Sequence, residues 1–211
     1  MEEDGLVCND CEGHSKENNN ELTFSDFSKV HIDGLMKVEI EKGDQYRVRV
    51  TGKEAYTKKV EVNQMAETLH ISTDLTRTGS PIRVYLTMPK LEAISVENTD
   101  DVKINGFEEK RMSIRNDGKH DIKAFVNVDS LTIKQKGRNE LDIRGSGKFV
   151  KADLEGRTKL DAEHFAVNNA IIDLRIGSHA SAKMSVTDTL KRMGDIGAIR
   201  FDGDPVVVDN Q

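Results

Sequence analysis

The chain has 211 residues and a net charge of −6, and 36% of its residues are hydrophobic while 32% are charged. That balance is polar for a compact globule but ordinary for a protein in which every second residue faces water. Lys and Arg are interspersed with Asp and Glu, so no basic face is available for nucleic acid or for an anionic membrane surface. The sequence contains no run of about 18 apolar residues, which is the length that a membrane-spanning helix needs. Because no helical period of apolar residues is present either, the sequence predicts an all-β protein.

Residues 1–22 are acidic and rich in Asn and show no periodicity, which predicts a flexible leader. Within it, Cys8 and Cys11 have the spacing of a redox pair or of half a zinc site. A structural zinc site needs four ligands, and only His14 lies nearby to act as a third. We therefore expect no metal there, and the two cysteines either close a small local disulfide or lie unpaired in the leader.

Residues 23–211 are predicted to form a single β-solenoid-like domain, of which 23–93 is an irregular N-terminal β portion. In that portion apolar residues alternate strictly with polar ones, as at Val30 and Ile32 or at Val84 and Leu86. Turn signals such as Asp33-Gly34 separate the alternating stretches. Short alternating stretches bounded by turns predict strands with one buried face.

An internal repeat follows over 94–204. Segments that begin at Ile94, Met112, Leu131 and Val150 carry apolar residues at their first and third places and a turn at the seventh. The turn residues are Asp100, Gly118, Gly137 and Gly156, and an apolar residue follows four places later, at Ile104, Ile122, Leu141 and Leu160. Gly177 and Gly197 extend the series less regularly. A period near 20 residues indicates stacked coils.

A leucine-rich repeat has a similar period, but it requires a helical segment and a Leu-rich consensus in each unit. The β-branched residues on both sides of the turn glycine favour a β-coil instead. Three amides, Asn98, Asn116 and Gln135, lie two residues before successive turns. Either their side-chain amides hydrogen-bond from each coil to the next as a ladder, or they are ordinary exposed turn residues. In the C-terminal tail, 205–211, Val206 and Val208 are expected to pack.

Candidate chemistry is sparse. The adjacent carboxylates of the repeat, Asp100-Asp101 and Glu108-Glu109, would need a defined separation across a sugar to hydrolyse a glycoside. Such clefts commonly offer aromatic platforms, whereas this chain has no Trp and only 5% aromatic residues. Acidic residues are also expected on any solvated strand face. The sequence therefore nominates no catalytic residue.

Other motifs are equally unspecific. Ser146 lies in Gly145-Ser146-Gly147, which has neither the spacing of a nucleophile elbow nor that of a phosphate-binding loop, and predicts a corner between coils. His120 and His179 each follow a turn glycine by two residues and are predicted to be solvated. No cofactor-binding or metal-ligating residue is nominated.

Three stretches carry a family resemblance: FSDFSKVHIDGLMKVEIEKGDQYRVRVTG (24–52), IRVYLTMPKLEAISVEN (82–98) and GSGK (145–148). They resemble the head GIN domain family of putative auto-transporter adhesins, known mainly from exported proteins of Bacteroidetes, over residues 24–204. Where the family name denotes Gly-Ile-Asn, this chain has Gly34-Leu35-Met36.

The resemblance implies a right-handed β-helix-like fold, export to the periplasm or the outer cell surface, a role in adhesion and no enzyme activity. No export signal follows Met1, so the signal peptide is expected to be absent from this sequence. The expected function is a non-enzymatic interaction module of the bacterial envelope, with an unidentified protein or glycan as its partner. The alternatives are a carbohydrate-active β-helix enzyme and a purely structural envelope domain.

Overall fold

The computed structural model describes residues 17–22 and 24–210. Strand residues account for 71% of the described residues and helix for 3%, and the strands stack as about six parallel coils of a β-solenoid. This confirms the predicted fold class. The elements are β1 (Glu17–Leu22), β2 (Lys29–Asp33), β3 (Lys37–Lys42), β4 (Arg47–Lys53), α1 (Glu54–Thr57), β5 (Val60–Met65), β6 (Thr68–Thr73), β7 (Arg83–Met88), β8 (Ala93–Glu97), β9 (Asp101–Gly118), β10 (Asp121–Gly137), β11 (Glu140–Gly156), β12 (Lys159–Leu174), β13 (Ser181–Gly194), a 3-10 helix (Ile196–Ala198), β14 (Ile199–Asp202) and β15 (Val206–Asn210).

The five long strands β9 to β13 are successive coils, each paired in parallel with the next. Strand β3 pairs with the first part of β9, whereas β8 pairs with its last part. The two ends of a long strand therefore lie on different faces of the stack. We call the sheet of β1, β4, β7, β3, the first parts of β9–β13 and β14 the first face. The middle parts of the long strands form the second face. The third face comprises β5, β6, β2, β8, the last parts of the long strands and β15.

The interior is filled by the alternate apolar residues of every strand, as the two-residue period requires. One column of paired residues runs through Phe107, Val126, Gly145 and Phe165 in four successive coils. The two phenylalanines are fully buried. A Cβ added at Gly147 would lie 2.9 Å from the ring of Phe165, so the large ring of one coil occupies space left by the glycine of the coil before it. The predicted corner at Gly145-Ser146-Gly147 is thus a point of close packing.

The corner between the third and first faces explains the repeated glycine. Gly118, Gly137 and Gly156 adopt φ values of 122°, 103° and 94°, which a residue without Cβ tolerates. They also stack directly, because a Cβ added at Gly137 would lie 2.5 Å from the carbonyl oxygen of Gly118. The backbone N–H of Arg138 donates to that same carbonyl at 2.7 Å. Neighbouring coils therefore approach too closely here for any side chain.

The first repeat unit has a different register from the predicted one. Ile94 pairs with Ile114 rather than with Met112, and Glu97 pairs with Asp117. The next residue, Asn98, has φ 47° and lies at the corner where Gly118 follows in the next coil. The predicted turn position at Asp100 is therefore wrong by two residues. The coil from Ile94 to Ile114 is 20 residues long rather than 18, and it includes one extra residue at a bulge between Asn105 and Phe107.

The N-terminal portion is irregular in a specific way: the order of strands in space differs from their order in the chain. Strand β2 lies between β6 and β8, and β3 lies between β7 and β9. Strands β1, β4 and β5 pair antiparallel with β4, β7 and β6. Strand β1 includes the end of the segment predicted as a leader, whereas Cys8, Cys11 and His14 lie outside the described residues.

The C-terminal strand β15 pairs in parallel with the last part of β13. Its valines do not pack as expected, because Val206 and Val208 are 68% and 42% exposed. Both face outward, since alternate residues of a strand point to opposite sides. On the inward side Asp209 forms a two-point ion pair with Arg192 at 2.7 and 2.8 Å. Arg192 pairs with Ile172 in register, so a charged pair closes the end of the apolar core.

Candidate functional site

The buried polar corner is the first candidate. Asn116 and Gln135 are 0% and 2% exposed and pair in register between adjacent coils. Their amides do not bond each other: Asn116 donates to the carbonyl of His120 at 3.4 Å, and Gln135 donates to Oδ1 of Asn139 at 2.9 Å. Asn98 is exposed and bonds Asp33 instead. The amide ladder is therefore wrong, because each buried amide satisfies the backbone and side chains of the turn that follows it.

His120 belongs to the same corner. It is 3% exposed, contrary to the predicted solvated position, and neither ring nitrogen has a hydrogen-bond partner among the described residues. Burial lowers the pKa of His120, while the Val96 carbonyl and the carboxylates of Asp121, Asp117 and Glu97 partly oppose that shift. An imidazole buried in a packed corner, with its ring nitrogens away from solvent, is a structural group. His179, by contrast, is exposed.

The acidic pairs singled out in the sequence do not come together as a catalytic pair. Asp101 accepts from Nζ of Lys37 at 2.8 Å. Glu109 accepts from the backbone N–H of Leu91 at 3.1 Å, and burial raises the pKa of its carboxyl. Ser146 donates to Oδ1 of Asn127 at 2.9 Å and has no base beside it among the described groups. In the described part of the chain, no cluster of three or more potential metal ligands occurs.

A groove of about 700 Å³ lies on the third face, across the last parts of β9 to β13. Five of its eight charged side chains are ion-paired with each other. Arg115 bonds Asp117 at 2.6 Å. Glu155 is shared by Arg175 at 2.7 Å and Lys136 at 3.7 Å. Most of this charged surface therefore neutralises itself from coil to coil.

A second groove, of about 630 Å³, follows the second face. Here Lys148 bonds Asp129 at 2.8 Å, and Asn168 donates to Asp188 at 3.3 Å. Glu109 lies at one end of the groove. As on the third face, the polar side chains are largely occupied by one another.

The first face differs. Phe125 projects from it with 52% of its surface exposed, and a groove of about 320 Å³ surrounds the ring. In register, Phe125 pairs with Asn105 of the preceding coil and Arg144 of the next. Sequence reasoning missed this residue, although the signal was present: an aromatic occupies an outward position in an alternation that otherwise places Asp121 and Lys123 outward.

Gly34-Leu35-Met36, which stands in place of Gly-Ile-Asn in this chain, occupies a structural corner. Gly34 has φ 115° and Met36 is fully buried. The buried hydroxyl of Thr99 lies 2.9 Å from the carbonyl oxygens of both residues. The segment thus joins β2 to β3, and the Thr99 hydroxyl links it to the turn between β8 and β9. No helix in the described part of the chain combines the length and apolar character needed to cross a membrane.

Structural comparison supports this fold. A crystal structure of a putative adhesin from Bacteroides fragilis superposes with a TM-score of 0.74 at 13% identity, covering 92% of this chain and 97% of that chain. A putative adhesin from Parabacteroides merdae gives a TM-score of 0.67 at 16% identity, covering 94% and 93%. A putative lipid binding protein from Parabacteroides distasonis also gives 0.67, at 14% identity, covering 93% and 94%. At these identities the likeness establishes the fold alone.

Sequence comparison supplies the family. No curated protein matches the chain. The family model described as putative auto-transporter adhesin, head GIN domain, matches residues 26–205, which is most of the sequence and agrees with the resemblance noted above. The chain therefore belongs to the head GIN domain family of putative auto-transporter adhesins.

Proposed function

We propose that this chain is a non-enzymatic, adhesin-like interaction module of the bacterial envelope that binds a protein or a glycan through the outer faces of its solenoid. One observation carries the proposal: the grooves are lined by outward side chains repeated over four or more successive coils on the second and third faces. A groove built by stacking presents an extended surface to a partner. Membership of a family of putative adhesins supports the same function.

The charges of these grooves point away from catalysis. Acid–base chemistry uses carboxylates whose protonation can change and which are free to meet a substrate. Asp129 and Glu155 are instead held in ion pairs with lysine and arginine. These pairs are exposed, so they contribute little stability, but they leave the carboxylate oxygens partly covered.

One observation favours the carbohydrate-active alternative. Glu109 has a raised pKa and lines the second-face groove beside Glu108, and a carboxyl with a raised pKa in a groove is a candidate general acid. Its bond to the Leu91 N–H gives it a structural role as well. Incubating the protein with a panel of polysaccharides tests the alternative, and turnover that Glu109→Gln abolishes would replace our proposal with an enzyme.

The location is tested by protease shaving of intact cells that express the full-length native gene. We expect the domain to be digested from unbroken cells, as an outward-facing module requires. Cells that lack the gene should also adhere less to host or neighbouring-cell surfaces than cells that carry it. Protection of the domain until the outer envelope is opened, with unchanged adhesion, would point to a structural domain inside the envelope.

A further inference from the structure

We propose that the groove around Phe125 on the first face binds an anionic sugar unit of a glycan, with the ring as its stacking platform. This deepens the proposed function and rests on it, because it names the ligand class of an interaction module. The groove is lined by Lys103, Asn105, Lys123, Ala124, Phe125, Asp142 and Arg144.

The ring supplies the apolar part of the site. Phe125 is 52% exposed at an outward position of β10, and the ring is flanked by Asn105 and Arg144 on the neighbouring coils. The negative face of an aromatic ring attracts weakly positive C–H groups, which a pyranose presents on one side. The flanking amide and guanidinium can donate to hydroxyl and carboxylate oxygens. An apolar platform with a few converging polar groups is the usual composition of a small-molecule site.

The charged side chains of the groove favour a negatively charged ligand. The groove contains three cations, Lys103, Lys123 and Arg144, against one carboxylate, Asp142, on a chain whose net charge is −6. Asp142 is already engaged by Arg144 at 3.3 Å. Among the described residues, no carboxylate lies within salt-bridge distance of either lysine, whereas Lys136 and Lys148 in the other two grooves are ion-paired and Lys134 and Lys110 there are not. Glu39 and Asp142 are the in-register neighbours of Lys103 and Lys123 on the adjoining strands, so an anion entering here meets a small excess of positive charge beside an aromatic face.

The surroundings restrict how far that positive charge extends. The next row on the same face holds Asp101, Asp121 and Glu140 at successive coils, with Lys37 and Lys159 paired to the first and last of these carboxylates. A phosphodiester backbone bound at the lysines would have to pass this row, whereas a sugar carrying one carboxylate or sulfate would not. The favourable field is therefore confined to a patch suited to an isolated anionic group and not to a nucleic-acid strand.

The site continues along the stack towards the N-terminal portion. A smaller groove of about 220 Å³ shares Lys103 and reaches Tyr85. Tyr85 lies three strands from β10, on the order of 14 Å away across the sheet, and Arg49 stacks on its ring at 4.4 Å. Between the two aromatic rings lie Glu39 and Lys103, in register on β3 and β9, and a site of this length fits an oligosaccharide better than a single sugar.

The test titrates the full chain with hexagalacturonate and with a sulfated chondroitin hexasaccharide, against neutral maltohexaose and a single-stranded DNA oligonucleotide. Calorimetry gives the affinity, and amide chemical shifts locate the site. We expect at least one acidic sugar to bind at least tenfold more tightly than maltohexaose, to weaken as salt is raised from 50 to 200 mM, and to shift amides around Phe125. Phe125→Ala should weaken binding at least tenfold, and Lys103→Ala and Lys123→Ala several-fold each, while Phe125→Tyr retains it.

The matched control is Lys59→Ala, which removes an exposed cation of the N-terminal portion that lines none of the grooves described above, and it should leave the affinity unchanged. Phe125 is exposed, so its variants are expected to fold, and thermal unfolding checks this. Equal binding of maltohexaose, preferential binding of DNA, absence of binding by both acidic sugars, or shifts centred on another groove would each overturn the inference. Loss of glycan binding with adhesion retained would remove this ligand class and leave the proposed function standing.

Discussion

The repeated coils, 101–194, and the N-terminal portion, 24–97, build the same three-cornered core by different routes. In the coils each strand pairs with its successor in the chain, so every pairing is parallel and about 20 residues apart in sequence. In the N-terminal portion β2 and β3 come first in the chain. Strands β6 and β7 pair with one side of them, and β8 and β9 pair with the other. The stacking of strands is thus the same in both regions, but in the N-terminal portion the first strands of the chain lie between strands that come later.

The difference teaches that a solenoid core depends on register between neighbours and not on the order of the chain. Val38 pairs with Val84 on one side and with Val102 on the other, although these partners are far apart in sequence. The apolar columns pass through both regions without interruption. We therefore propose that 23–211 unfolds as one domain, in agreement with the predicted domain boundaries, because no break in pairing separates the two regions.

The largest expected effect tests that unity. Phe165→Ala removes a fully buried ring from the coils, and Phe27→Ala removes one from the N-terminal portion. Each should lower the free energy of unfolding by about 4 kcal/mol and shift one and the same denaturant transition. Urea unfolding followed by circular dichroism and by amide exchange measures both. Two separate transitions, each sensitive to only one of the substitutions, would show that the coils and the N-terminal portion are two independent domains.

A smaller effect should come from the corner of the coils. Gly137→Ala places a Cβ 2.5 Å from the Gly118 carbonyl oxygen at φ 103°, so backbone strain and a forced separation of coils should together cost about 3 kcal/mol. Gly177→Ala is the matched control, since its φ is also positive, at 80°, but nothing lies within 4 Å. That change should cost only about 1 kcal/mol. Equal losses in chemical denaturation would show that conformation, and not coil contact, dictates glycine here.

The junction of the two regions should respond to pH through His120. Because burial lowers the pKa of His120 in the folded state, the unfolded chain takes up the proton first. The corresponding stability is therefore present above the unfolded pKa of about 6.5 and is lost as the pH falls through it. His120→Asn, which copies Asn139 of the next coil, should remove this dependence between about pH 7.5 and 5.5. Thermal unfolding of both proteins across that range measures it, and parallel curves would contradict the assignment.

The smallest effect on stability is expected at the C-terminal edge. Val206 is 68% exposed on a strand whose pairing within the described residues is with β13 alone. Val206→Lys should change the free energy of unfolding by less than about 0.5 kcal/mol, and should reduce self-association, because charged residues protect open strand edges. Sedimentation at several concentrations tests this. A large loss of stability would mean that β15 seals the core more than its exposed valines suggest.

Parts of the fold followed directly from residue pattern. The alternation of Val30 and Ile32 and the spacing of Gly118, Gly137 and Gly156 were sufficient to predict strands and coils. Burial on one face imposes a period of two, and the stacked corners at Gly137 and Gly156 leave no room for a Cβ. The site could not be predicted in the same way. Phe125 fits the alternation as one outward residue among many, and its exposure depends on the neighbours that stacking places beside it.

The sequence by itself determined the class of fold, the coil length and the family, since each depends on local periodicity and on short motifs. Only the tertiary structure decided which strand lies beside which, and therefore that Val96 rather than Asn98 precedes Asn116 in its column. It also decided that His120 is buried and that Lys103 and Lys123 lack carboxylate partners among the described residues. These properties arise from contacts between residues brought together by register, and register between distant strands is set by the packing of the whole core.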